Sequence, residues 1–346
     1  MPTTADAGSG LSRRRIVGSV VGVAISVVLL YVTLRGVSFA EVLEHLRTAR
    51  VLPLLVAVGL ATLTFGIRTI RWRYLLRNER DEPVGWGPLW HSTAMGFMAN
   101  NTLPLRVGEL LRSYSASRLG GVPFTAALSS IAVERALDAL TIGAMLTVAL
   151  FRSGLPPETQ ITGVGRLDQV AIRAGVICAV IFAGALFVVL FPVVSERIVR
   201  RVIPARRIAD RIVSLIEGLR LGFGALRSPG RLVSAVAWSI VHWGLNAASF
   251  WVGFAAFGIE VGPTGAVLVM CLLAIGIAVP SSPGYFGVFE LVVAAALTLF
   301  GVPRDLGVAY GITYHVTTFI PITLLGLWSL VVTPIQLRDI TAPPPP

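Results

Sequence analysis

The sequence predicts an all-α polytopic membrane protein of about six spanning helices plus two re-entrant, broken helical hairpins in an inverted-repeat arrangement. Three observations predict it. Only 14% of the 346 residues are charged and 55% are hydrophobic, whereas a soluble chain carries roughly a quarter charged residues. Six apolar runs, 16–34, 51–67, 124–151, 170–192, 232–257 and 306–333, meet the roughly 17–25 residues that cross a bilayer. Two more apolar regions, 84–118 and 264–301, are interrupted near their middles by Asn100-Asn101-Thr102-Leu103-Pro104 and by Pro280-Ser281-Ser282-Pro283-Gly284.

The elements follow in order. Residues 1–15 form a cytoplasmic tail ending in Arg13-Arg14-Arg15. The apolar stretch behind it is longer than a signal-peptide core and no A-x-A-like site follows, so it reads as an uncleaved first span. The net charge of +11 is carried by arginine alone, with no lysine in the chain, and spans orient so that such residues stay inside. Span 51–67 then returns onto Arg68, Arg71, Arg73, Arg77 and Arg80. Span 170–192 ends at the basic amphipathic stretch 197–231, whose nine arginines among Ile, Val and Leu suit a segment lying on the cytoplasmic leaflet. Region 84–118 must therefore begin and end inside, and region 264–301 outside, so each is a hairpin. Span 306–333 leads back to Arg338, and 339–346 is a disordered tail. On this topology, with both termini in the cytoplasm, 21 arginines are cytoplasmic, seven are external and Arg135 lies within a span.

Residues 16–338 thus form one transmembrane domain with internal symmetry. Span 51–67, hairpin 84–118 and span 124–151 match span 232–257, hairpin 264–301 and span 306–333 in opposite orientation. Pro104, Gly108, Pro280, Pro283, Gly284 and Gly287 mark the breaks. Irregular backbone at that depth must be buried in protein or line a wet cavity, as in many transporters. The plainer alternative is that Pro and Gly only kink two ordinary helices.

Glu109, Glu134, Arg135, Asp138 and Glu290 lie in or beside embedded helices, where each charge costs roughly 2.5–3.5 kcal/mol unless paired. Glu134 and Asp138 are one turn apart on one helix face, so a cation is expected between them, Arg106 or Arg112. Arg135 points about 100° away, toward Glu290 or a lipid phosphate. The cluster reads either as ion pairs pinning the hairpins or as a polar cavity for a charged headgroup, and the two are compatible. Asn100 and Asn101 can satisfy backbone freed at the break. His315 and His242 sit within spans, and Trp72, Trp86 and Trp90 suit an interfacial belt. Cys178 and Cys271 read as packing residues, with no disulfide or metal site. No P-loop, HExxH, Cys/His metal spacing or GxSxG occurs, so no catalytic residue, cofactor or metal is expected, and nucleic acid is not an expected partner.

The run Gly96-x-x-x-Asn100-Asn101-x-Leu103-Pro104-x-Arg106-x-Gly108-Glu109-x-x-Arg112 resembles the first signature of the lysylphosphatidylglycerol synthase transmembrane-region, or flippase-like, family. Glu134-Arg135-x-x-Asp138, Pro280-x-x-Pro283-Gly284-x-x-Gly287-x-x-Glu290 and Arg71-Trp72-x-x-Leu75-Leu76 resemble its further elements. The resemblance implies a stand-alone membrane domain, without the aminoacyl-transferase domain of the best-known members, that moves a lipid or lipid-linked headgroup between leaflets. The expected location is a bacterial-type cytoplasmic (inner) membrane. The expected partners are membrane lipids, anionic or polyprenyl-phosphate-linked, together with a lipid or glycan synthase. An arginine is expected near His315; histidine there weakens an anion contact or makes it pH-dependent, because imidazole titrates close to neutrality.

Two functions follow as expectations. In the first, Arg106, Arg112 and Arg135 contact a headgroup phosphate while Glu109, Glu134, Asp138 and Glu290 position them or carry protons. In the second, the protein is a non-transporting scaffold or regulator of a synthesis enzyme.

Overall fold

The computed structural model describes residues 31–335 except 32, 36, 79, 104–106, 157, 159, 162–164, 167–168, most positions between 170 and 191, 203–228 and 279–282. Most of the expected spans 16–34 and 170–192, most of stretch 197–231 and both tails lie outside the described residues, as do Pro104, Arg106 and Pro280. The described chain is helical apart from loops, one 3-10 turn and a two-residue antiparallel pair, Gln160–Ile161 with Gly165–Arg166.

The helices are α1 Phe39–Thr48, α2 Val51–Leu75, α3 Trp86–Thr102, α4 Gly108–Gly120, α5 Phe124–Arg152, α6 Pro192–Val202, α7 Pro229–Ala256, α8 Pro263–Gly276, α9 Val288–Thr298 and α10 Arg304–Val332. Both interrupted regions are helix–break–helix hairpins. α3 packs on α4 and α8 packs on α9, with a 3-10 turn at Pro283–Tyr285 ahead of α9. The first hairpin closes because Gly96 and Gly108 let two backbones touch; a Cβ on Gly108 would meet the Gly96 carbonyl and lie 2.7 Å from the Asn100 side-chain carbon. The second turns on Gly284 and Gly287, whose φ of 68° and 88° suit residues without a Cβ.

α2 overruns the apolar stretch that announces it. The sequence ends this span at residue 67, yet the helix continues to Leu75 and carries Arg68, Arg71 and Arg73. It can do so because the Arg71 side chain is fully buried against acids of another helix, so the turn that looks like a watery landing is interior.

Two sets of helices repeat the order long helix, broken pair, long helix: α2, α3–α4, α5 and α7, α8–α9, α10. Exchanging the sets maps the packing onto itself. α2 lies on α7; α4 on α5 corresponds to α9 on α10; α3 on α10 corresponds to α8 on α5; α2 on α3 corresponds to α7 on α8. The equivalent helices α2 and α7 run antiparallel. Arg50 N at the start of α2 donates to Ala256 O at the end of α7 (2.8 Å), and Asp81 beyond α2 pairs with Arg231 at the start of α7 (2.7 Å). That is the geometry an inverted repeat requires.

The outside of the bundle is apolar. Leu52 and Leu55 of α2, Val233 and Ile240 of α7, and Ile320, Leu324 and Val331 of α10 are all exposed. α2 and α10 are long and apolar enough by themselves to cross a bilayer. Water would penalise an apolar surface spread over three helices, whereas hydrocarbon does not.

Candidate functional site

The site begins with the one-turn spacing on α5. Glu134 and Asp138 face inward there, 0% and 4% exposed. Arg71 of α2 bridges them, with Nη2 3.1 Å from Glu134 Oε1 and Nη1 2.6 Å from Asp138 Oδ1. Arg112 of α4 grips Glu134 with both nitrogens, each at 3.0 Å, and its guanidinium lies 3.8 Å over the Trp72 ring. Ser239 and Trp243 of α7 complete the shell; Ser239 Oγ accepts from Arg71 at 3.0 Å, and Trp243 Nε1 donates to Asp138 at 2.9 Å. Bidentate, charge-assisted contacts of this kind are what a guanidinium needs when water is withdrawn.

The expected cation is thus only half right. Arg112 holds Glu134, but the residue between the two acids is Arg71, and Arg106 lies outside the described residues. Arg135 does not reach Glu290. Its long side chain folds back along its own helix, placing Nη2 2.7 Å from Glu134 and 3.3 Å from Asp138, with Nε 3.8 Å from Glu109. Neighbours one and three residues away win over a distant partner because arginine's stem is long enough to lie along the helix surface. Arg135 and Glu109 are the accessible members, with side chains 39% and 35% exposed.

Glu290 stands apart from that network and pairs with His315. Its Oε1 lies 2.7 Å from His315 Nδ1, and its Oε2 accepts from Gly287 N at 2.7 Å. The carboxylate thereby caps the N-terminus of α9, where a negative charge is favoured. His315 is stacked on Phe289 at 4.1 Å with Phe286 on another side.

The asparagines tie the breaks together. Asn100 Oδ1 accepts from Gly108 N (3.0 Å), capping α4, and Asn101 Nδ2 donates to Thr323 Oγ1 of α10 (2.9 Å). A Cβ on Gly284 would lie 3.1 Å from the Asn101 carbonyl, so the two hairpin breaks touch. Trp72 is fully buried and donates to Ser130, which removes it from the expected interfacial belt; Trp86 is half-exposed beneath Arg73. Cys271 is a buried packing residue.

The pseudo-symmetry relates these contacts. Glu134 and Tyr314 are the eleventh residues of α5 and α10. Each meets the partner long helix of its own half, Glu134 through Arg71 and Tyr314 through Ser249 at 2.7 Å. Arg135 and His315 come next, and each meets an acid from the first turn of its hairpin's second limb, Glu109 or Glu290. One half is ionic where the other is neutral or histidine-based.

Between the halves lies a partly open cavity of about 190 Å³, lined mainly by apolar side chains of α2, α7, α8 and α10. Its walls include Trp243, which holds Asp138, and Phe289, which stacks on His315. Both polar clusters therefore sit directly behind it. Arg68 also lines it. Arg68 and Arg71 are the functional candidates that pattern reading passed over. Their i, i+3 spacing puts them on one helix face, but only a helix continuing past residue 67 makes that face an interior one.

Comparison with known proteins agrees with a membrane protein. The family described as lysylphosphatidylglycerol synthase TM region matches residues 19–326. A UPF0104 membrane protein of Methanothermobacter thermautotrophicus is 24% identical over 283 residues, 75% of this chain and 77% of that protein. The glycosyltransferase AglD of Haloferax volcanii is 27% identical over 314 residues, 83% of this chain but 49% of that protein; the chain spans about half of AglD. With the profile covering nearly its whole length, the chain belongs to the lysylphosphatidylglycerol synthase transmembrane-region family of membrane proteins.

Proposed function

We propose that this protein moves a phospholipid or a lipid-linked anionic headgroup between leaflets of a bacterial-type cytoplasmic membrane. On this reading it acts without covalent catalysis, and both termini lie in the cytoplasm. The observation that carries the reading is the meeting of two oppositely running broken hairpins beside a cavity backed by charge. A headgroup crossing a bilayer needs hydrated polar contacts at mid-depth, while its tails can remain in lipid. The broken helices supply the irregular backbone. Glu109 and Arg135, the exposed edge of the network, and the Glu290–His315 pair supply the polar side chains. The orientation rests on arginine, with Arg77, Arg80 and Arg231 at one shared end of α2 and α7.

The test is lipid movement in vesicles reconstituted with the purified chain. Fluorescent anionic phospholipid is expected to exchange between leaflets faster than in empty vesicles. Arg135→Gln and His315→Gln, which keep size and lose charge or basicity, are expected to slow it about tenfold or more. Vesicles no faster than protein-free ones would sink the reading.

A second reading is favoured by the match to half of a glycosyltransferase: a membrane scaffold or regulator for a glycan- or lipid-synthesis enzyme. A stoichiometric enzyme co-purifying with a chain that moves no lipid would select it.

A further inference from the structure

Among the described residues every guanidinium of the network holds an ion pair, although Arg71 Nε and Arg112 Nε are buried without a hydrogen-bond acceptor. Glu134 receives Arg71, Arg112 and Arg135, and Asp138 receives Arg71, Arg135 and Trp243. Even Arg71 Nη2, which lacks hydrogen-bond geometry, stays 3.1 Å from a carboxylate oxygen. Arg68 is different. Among the described residues its side chain makes no hydrogen bond or ion pair, and its Nη1 is buried without an acceptor. Its guanidinium lies 4.8 Å from the Phe97 ring centre and 5.8 Å from that of Trp243. Such stacking uses the faces of the group but not its in-plane N–H donors. Arg68 lines the central cavity together with Asn246, whose amide nitrogen donates to the His242 carbonyl (2.9 Å). The rest of the lining is mainly apolar, including Phe65, Phe250, Met270 and Ile322, and the hydroxyls of its Thr64, Tyr314 and Thr318 already bond within the protein.

Charge sets what fits there. Among the described residues Arg68, Arg71, Arg112 and Arg135 face Glu109, Glu134 and Asp138, leaving one positive charge uncompensated beside the cavity. A buried cation without a counterion is costly, and so is a second unpaired anion. One negative charge balances the site. The cavity is smaller than the ~300–1,000 Å³ of a pocket that encloses a drug-sized ligand, so it suits a headgroup phosphate and a short piece of tail.

We propose that Arg68 is the anion-contacting residue of the central cavity and that its ligand is a monoanionic phosphodiester carrying an apolar tail. This rests on reading the cavity as open to lipid, and it narrows the cargo of the proposed translocator to singly charged phosphodiester lipids. Arg112 and Arg71, committed to Glu134 and Asp138, act behind it as positioning residues.

The test is lipid retention by the purified full chain in mild detergent, followed by native mass spectrometry during titration. The probes are phosphatidylglycerol, phosphatidylcholine, phosphatidic acid and water-soluble glycerophosphoglycerol. Phosphatidylglycerol is expected to be held about tenfold more tightly than phosphatidylcholine and more tightly than the dianionic or tail-less probes. Arg68→Gln is expected to abolish that preference, whereas Arg73→Gln, whose guanidinium stacks outside on Trp86, preserves it. Ala274→Phe fills the cavity from another wall and is expected to lower retention of phosphatidylglycerol without touching a charge; this arm stands even if Arg68→Gln does not fold. Three results overturn the proposal: a preference unchanged in Arg68→Gln, retention undiminished in Ala274→Phe, or glycerophosphoglycerol or phosphatidic acid bound as tightly as phosphatidylglycerol. Arg68-dependent binding without leaflet exchange would leave the site standing and remove only the transport reading.

Discussion

Glu134 accepts three guanidinium groups in a space from which water is excluded, so its loss is felt by all of them at once. Glu134→Gln leaves Arg71 and Arg112 buried without their shared counterion. Breaking one side of a buried pair costs about 3–5 kcal/mol, and denaturant unfolding in mixed micelles is expected to show a loss of that size. Glu109→Gln, at the exposed edge, is expected to cost about 1 kcal/mol or less by the same measurement. The acids themselves were legible in the sequence, because two carboxylates one turn apart in an apolar run demand a cation. Which cation was not legible. Arg71 is distant in sequence and stands beyond the end of the apolar run, where the positive-inside pattern explains an arginine without burying it. Arg135 misleads differently: its Cβ direction is readable from helical geometry, but where a long flexible stem ends is decided by the partners in reach.

At the scale of the elements, the two hairpins depend on residues that are small for stated reasons. Gly108→Ala forces a Cβ into the Gly96 carbonyl and the Asn100 side chain, and backbone cannot yield as a flexible side chain can. The expected outcome is a large drop in folded yield, read as monodisperse protein after size-exclusion chromatography. Gly59→Ala on α2, with open space around the new methyl, is expected to be neutral or slightly stabilising, since alanine is the better helix former by about 1 kcal/mol. Gly284→Ala meets both a left-handed φ and the side chains of Phe319 and Phe286, so a loss of at least ~1–2 kcal/mol is expected from the backbone alone. The breaks were the most readable part of the chain because Pro and Gly cluster there with Asn or Ser, whereas isolated Pro321 and Gly59 lie inside unbroken helices. That the two breaks touch, through Gly284 and Asn101, is a tertiary fact with no local signature.

Across the whole molecule, the exchange symmetry of the packing makes orientation testable at two loops. Arg80 follows α2 and Glu260 follows α7, and both positions are exposed. In a background lacking Cys178 and Cys271, a cysteine at position 80 is expected to react with a membrane-impermeant maleimide only in inverted membrane vesicles. A cysteine at position 260 is expected to react only in intact cells. Labelling of both from one side would rule out the inverted arrangement.

The two halves are alike in path but not in chemistry, and that has a mechanical consequence. In a pair of inverted repeats, opening toward one face and then the other amounts to the halves trading conformations. Here they cannot trade evenly. Shearing α5 from α2 and α4 separates three guanidinium–carboxylate contacts, whereas shearing α10 from α7 and α9 breaks the hydroxyl contact of Tyr314 with Ser249 and the single Glu290–His315 pair. On the translocator reading the first half would therefore serve as an anvil and the second as a hinge. Amide hydrogen exchange in micelles is expected to be slow along α4–α5 and faster along α8–α9. On the translocator reading proposed above, the resting protein then stays in one posture, and bound lipid supplies the free energy to leave it.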